Sequence, residues 1–136
     1  MKRIVDPEYL EIWTLGRQYC AACHLPWIVE GHHLVKRSRR RMDRGWNLLG
    51  LCHRCHKSAE GERVVDDSGE RMPVLTFAMC LSLKREADPE EWNPDLLAEC
   101  YGRPLPELEP VPDYYHQRRR RYGVRLEPIH GQDAKA

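Results

Sequence analysis

Cys20-Ala-Ala-Cys23, Glu30-Gly31-His32-His33, Trp46-Asn47-Leu48-Leu49-Gly50-Leu51 and Cys52-His53-Arg54-Cys55-His56 follow one another in a single short stretch, and their spacing decides the fold. Two Cys-x-x-Cys pairs bracket the histidines. Each pair offers two thiolates from a tight turn, and four sulfurs suit one tetrahedral Zn2+. An ion held by Cys20, Cys23, Cys52 and Cys55 has no open coordination position. It acts as a fold element that ties residue 20 to residue 55 and closes the chain between them. His24 or His53 could replace a cysteine as ligand, though neither replacement is needed. Residues 24–51 separate the two pairs, a longer gap than a zinc ribbon uses, and the paired histidines lie inside it.

The elements around this stretch read from local signals. Asp6-Pro7 is an N-cap residue followed by proline at the first helical position. With Tyr9, Ile12, Trp13 and Gly16 at helical spacing, it predicts a helix over roughly 7–18. Trp27-Ile28-Val29 leads into a strand over Glu30–Val35, and Trp46–Leu51 forms a second strand that ends at Cys52. A helix of about two turns begins near His53 and stops near Gly61. Further on, Thr76 caps a helix over 77–86, and Asn93-Pro94 starts another that Gly102 ends. Four prolines within 103–112 predict an extended linker, followed by a mobile basic tail from Arg118. The division is therefore an N-terminal helix (1–19), a metal-binding core (20–61), a helical extension packed on it (62–102), and a Pro-rich linker with a basic tail (103–136).

A chain of 136 residues builds one small domain with a modest core, which a bound metal would reinforce. No window of eighteen apolar residues occurs, so no membrane span is expected. The first residues lack the apolar run of a secretion signal, which points to a cytoplasmic setting and favours metal binding over disulfides for the six cysteines. Cys80 and Cys100 read as buried free thiols. The net charge of +1 hides a strong segregation: residues 17–57 carry +7, 58–117 carry −9, and 118–136 carry +4. The basic segment is the one that holds the histidines. A polyanion is therefore the expected partner, and nucleic acid is the commonest polyanion. Lys36, Arg37, Arg39, Arg40, Arg41 and Arg44 crowd the loop between the two strands and read as clamps for DNA phosphates.

His32 and His33 are strand neighbours, so their side chains point to opposite faces. One can bind a metal while the other faces water or substrate. Cys55 and His56 are helix neighbours about 100° apart, so Cys55 can face the sulfur site while His56 faces away. His56 and one of the paired histidines can thus meet at a second metal, with positions left for water and phosphate oxygens. Glu60, one helical turn beyond His56, either adds a hard oxygen ligand or is a surface carboxylate. Glu30 reads as exposed or as a support for a ligand. Trp27 and Trp46 read as core residues flanking the site.

The order C-x-x-C, E-x-H-H, W-N-L-L-x-L-C-x-x-C-H resembles the HNH endonuclease family, with the closest likeness over residues 20–56. The resemblance implies an α+β fold: a small ββα-metal core with a structural four-cysteine zinc site, flanking helices and a basic C-terminal tail. It implies hydrolysis of DNA phosphodiester bonds to 5′-phosphate and 3′-hydroxyl products. It also implies roles: His33 as general base, Asn47 bonding across the loop to hold His33 in orientation, and His32 and His56 as ligands of a catalytic Mg2+ or Mn2+. A phage origin with action in the bacterial host fits such a compact member. Two rival readings stand beside it: a non-catalytic zinc module that only binds nucleic acid, and an RNA-cutting nuclease of the same fold. Oligomeric state and site preference are open at this level.

Overall fold

Asp6 caps α1 (Pro7–Leu15) through its carboxylate, which accepts the Tyr9 N–H at 3.2 Å. The computed structural model describes residues 1–26 and 29–123. After α1 come β1 (Glu30–His33), a 3-10 turn (Gly45–Asn47), β2 (Leu48–Leu51), α2 (His53–Ala59), α3 (Phe77–Ala87), α4 (Pro94–Tyr101) and α5 (Asp113–Gly123). The fold is a small α+β one. Its two strands pair antiparallel in the register Glu30↔Leu51, Gly31↔Gly50, His32↔Leu49 and His33↔Leu48. Both strands are shorter than the sequence predicts. Pairing runs one step further, where the Leu34 N–H reaches the Asn47 carbonyl at 2.8 Å. Residues 45–47 then wind into the turn, and Gly45 lies against the Glu91 carboxylate, where a Cβ would collide. Trp27, expected to flank the site, and Ile28, expected to lead into the first strand, lie outside the described residues, and so does the tail from 124 onward.

Gly31 and Gly50 face each other across the hairpin. A Cβ on Gly31 would stand 2.9 Å from the Leu10 side chain and 3.1 Å from the Thr14 hydroxyl, so this glycine lets α1 lie directly on the strands. All four residues of β2 are buried, and α3 packs on that strand. Leu75, Leu81, Leu83, Leu97 and Tyr115 complete the core with Leu48, Leu49 and Leu51. Lys84 is fully buried on α3, which is costly for a charge unless it is paired. Its ammonium bonds Glu91 at 2.8 Å and Asp88 at 3.0 Å, while the Trp13 indole N–H donates to the same Glu91 at 3.1 Å. The trio pins α1 to the end of α3.

The C-terminal segment departs from the expected mobile tail. Val111 is buried, Leu105 and Leu108 pack on the core, and residues 113–123 form a docked helix. Tyr115 is fully buried and donates to the Pro73 carbonyl. Arg118 pairs with Asp67 at 3.0 Å and Asp66 at 3.5 Å. Arg119 donates to the carbonyls of Ala21 at 3.0 Å and Ala22 at 2.8 Å and pairs with Glu86 at 3.1 Å. Part of the acidic segment is thus neutralised from within. Among the described residues no helix is long and apolar enough to cross a membrane.

Gly31→Val should lever α1 off the hairpin and cost about 1–3 kcal/mol. Thermal unfolding reads this directly, and an unchanged Tm would contradict the close packing.

Candidate metal centres and catalytic cleft

Cys20 and Cys23 sit on a knuckle held by the Cys20 N–H to the Leu25 carbonyl at 2.9 Å and the Ala21 N–H to the Gly50 carbonyl at 2.8 Å. Cys52 precedes α2 and Cys55 lies in its first turn. The four sulfurs are buried and all lie within 4.8 Å of one another. Cys23 and Cys52 are 3.8 Å apart, far beyond a disulfide bond. Packed this closely, the sulfurs cannot all ionise unaided. Bonds from Cys20, Cys23 and Cys55 hold Cys52 far below the ordinary thiol range, while Cys20, Cys23 and Cys52 push Cys55 well above it. A divalent cation at the centre would let all four be thiolates, so the donor set fits a structural metal such as zinc. His24 and His53 are not part of the cluster. Cys80 is buried apart from it, and burial pushes its thiol up to about 12. Cys100 is likewise a buried free thiol.

The second cluster joins His32, His56 and Glu60, whose donor atoms also lie within 4.8 Å of one another. Glu60 Oε2 is 3.3 Å from His32 Nδ1 and 3.4 Å from His56 Nε2. His32 is buried, and its Nδ1 makes no hydrogen bond despite the nearby carboxylate. An orphaned buried nitrogen is costly, and a cation between the three groups would satisfy it. Burial brings the His32 pKa down to about 3, with the nearby His56 adding to the shift. Its imidazole is therefore neutral and its lone pair free to bind a metal. His56 Nδ1 bonds Glu30 Oε1 at 2.7 Å, which leaves Nε2 to face Glu60. Glu30 also takes a bond from His53 at 3.0 Å. Burial opposes ionisation of Glu30, but the bonds from His56 and His53 prevail and lower its pKa. Glu60 thus lies within reach of both imidazoles, where a third ligand would stand, and Glu30 bonds His56 and His53 from outside that group.

His33 points the other way, as strand alternation demands, and lines a cleft of about 510 Å3 together with His56, Glu60, Lys36 and Arg37. Its Nε2 lies 2.8 Å from Asp43 Oδ1. Asp43 is completely buried. Its oxygens also take the Asp6 N–H at 2.7 Å and the Arg41 guanidinium at 2.9–3.1 Å. Burial opposes ionisation of Asp43, but Arg41, the Asp6 N–H and His33 outweigh it and bring its pKa down to about 2. With Asp43 ionised, the shared proton belongs on Nε2, and Nδ1 becomes the free base nitrogen. Burial lowers the pKa of His33 as well, against the opposing pull of Asp43.

Asn47 makes no bond to His33. Its carbonyl takes the Val35 N–H at 2.9 Å, and its amide donates to the carbonyls of Met42 at 3.2 Å and Val35 at 3.4 Å. It bonds across the loop as expected, but the residue that touches His33 is Asp43. Asp43 escaped the sequence reading because it is one acid inside a basic run. Arg41 and Arg44 are also spent internally: Arg44 bonds Asp6 at 3.1 Å and lies over the Tyr9 ring. Lys36, Arg37 and Arg39 are exposed beside the histidines, and Arg40 is half-buried. Trp46 is partly buried against the core.

A comparison with protein-family models, with curated proteins and with solved structures finds no match for this chain, so the reading of the site rests on its own geometry.

The sulfur site should retain about one metal ion per chain through purification. Stripping it with a strong chelator should unfold residues 20–59 and abolish the cooperative transition; a metal-free protein with the same Tm would contradict the assignment. Asp43→Asn should cost about 1–3 kcal/mol in urea unfolding at neutral pH, because Arg41 and His33 lose their anion. Since folding depresses the Asp43 pKa, its contribution is complete above 3.8 and fades as pH falls toward about 2. The stability gap between variant and wild type should therefore narrow in that window, and a gap independent of pH would be contrary evidence.

Proposed function

We propose that the chain is a metal-dependent phosphodiesterase acting on nucleic acid. Within that class we infer an HNH endonuclease of ββα-metal type that cuts DNA to 5′-phosphate and 3′-hydroxyl ends. The observation that carries this reading is a juxtaposition: His32, His56 and Glu60 converge on a point that could hold a cation, and His33, backed by Asp43, lines one cleft with two of them, His56 and Glu60.

His33 Nδ1 takes the proton of a water molecule as that water attacks phosphorus. Asp43 keeps the opposite nitrogen protonated and steadies the imidazolium that forms. The 3′ oxygen leaves in line with the attack. A divalent ion held by His32, His56 and Glu60 would supply charge neutralisation at the phosphate and at the leaving oxygen. The carboxylate in that set favours Mg2+ or Mn2+ over a softer ion. Lys36 and Arg37 at the cleft wall bind flanking phosphates, and their contribution weakens with salt. Arg39 serves a neighbouring surface, whereas Arg41 and Arg44 hold the loop in shape.

His33→Ala should reduce plasmid cleavage about 10²- to 10⁴-fold with its fold and DNA affinity retained, and EDTA at a level too low to strip the buried zinc should stop wild-type cleavage. Equal plasmid binding with no cleavage by either protein would leave a binding module as the function. Faster cutting of a matched RNA than of DNA would make the chain a ribonuclease of the same fold.

A further inference from the structure

On the far side of the Glu60 ridge lies a second cleft of about 620 Å3. Its base is apolar, with Val35, Leu75 and Cys80 buried beneath it. One wall is aromatic: the Phe77 and Tyr101 rings are 4.9 Å apart, and the Arg39 guanidinium lies 4.9 Å from the Tyr101 ring centre. Arg39 also donates to the Tyr101 carbonyl at 3.1 Å, which fixes the plane of the guanidinium. Lys36 stands with Arg39 at the mouth. The metal cluster borders this space as well, because His32 and Glu60 line it. Lys36, Ser38 and Glu60 line both clefts and form the divide between them.

We propose that this second cleft receives an unpaired nucleobase from the nucleotide adjoining the scissile phosphate, so that the favoured substrate is single-stranded or locally unpaired nucleic acid. The proposal rests on the nuclease reading above. A nucleic-acid strand alternates an anionic phosphate with a flat aromatic ring, one nucleotide apart. The two clefts alternate in the same way: cationic and metal-ligating on one side of the ridge, apolar and aromatic on the other. A phosphate at His33 and Glu60 would place the next base at the mouth that Lys36 and Arg39 guard. There the Phe77 ring and the outer face of the Arg39 guanidinium offer stacking surfaces, the two kinds used to hold splayed bases. A base locked in an uninterrupted duplex cannot enter without being unpaired, which costs binding energy. An apolar peptide has no use for the cationic mouth, and a free nucleoside has no use for the adjoining metal cluster.

The test uses the full chain with its metals. Val74 lines the cleft and is 40% exposed, so Val74→Trp fills the space without disturbing the core or any metal ligand. The substrates are a labelled single strand, the same strand annealed to its complement, single strands with one abasic nucleotide at each position around the cut, and bis(p-nitrophenyl) phosphate, a diester without bases. Wild type should cut the single strand about tenfold faster than the duplex, and an abasic residue at one position next to the cut should cost about tenfold. Val74→Trp should lose a similar factor on the intact strand, ignore the abasic position, and hydrolyse the small diester like wild type. Wild-type cleavage indifferent to abasic residues at every flanking position would overturn the proposal while leaving the nuclease reading intact. So would a Val74→Trp protein that cuts the intact strand at the wild-type rate. Failure of wild type to hydrolyse any of these substrates would remove the nuclease reading and this proposal together.

Discussion

Four buried sulfurs crowded around one point set the geometry of everything else. Cys20 and Cys23 belong to a knuckle bonded to Gly50, and Cys52 and Cys55 belong to the start of α2. A cation at their centre turns a mutually repelling group into a joint between hairpin and helix. That joint fixes how α2 is rotated. Because Cys55 faces the sulfurs, its neighbour His56 must face away, toward the strand that carries His32. The second cluster is therefore a geometric consequence of the first. The C-terminal helix strengthens the same joint from outside, where Arg119 caps the carbonyls of Ala21 and Ala22.

Around this joint, carboxylates assign work to the histidines. Glu30 orients His56, Asp43 orients His33, and Glu60 completes a set with His32 and His56. His33 is bonded to an acid through Nε2 alone, His56 turns Nδ1 to Glu30 and Nε2 to Glu60, and the buried Nδ1 of His32 has no hydrogen bond. In the proposed mechanism, the strand alternation that separates His32 from His33 would divide ion-holding from proton-taking. The buried Lys84 network has no such chemistry: it is closed on Asp88, Glu91 and Trp13 and serves to hold α1 in place.

Local signals in the sequence carried the helices and the metal cysteines. Asp6-Pro7, Thr76, Asn93-Pro94 and Gly102 each act within one turn of the residues they cap, so the caps are found where the sequence puts them. The Cys-x-x-Cys pairs are legible for the same reason. Asp43 was hidden because two of its partners are Asp6, 37 residues earlier, and His33, ten residues earlier, while the charged residues nearest to it in the chain, Arg41 and Arg44, are cations. The docked C-terminal helix was missed because four prolines and an arginine run suggest an extended polar tail, whereas Tyr115 buries itself under Pro73, 42 residues away. The loop arginines illustrate the same limit: composition alone cannot tell Arg41, folded onto Asp43, from the exposed Arg37.

With the sulfur site holding α2 against the hairpin, two imidazoles and a carboxylate stand where they could bind a second cation. Electron paramagnetic resonance of the zinc-loaded protein titrated with Mn2+ tests it most directly. A single tight Mn2+ site with nitrogen couplings from imidazole is expected, lost in His56→Ala while zinc remains bound. A spectrum of free Mn2+ at all ratios, or bound Mn2+ with no nitrogen coupling, would contradict it.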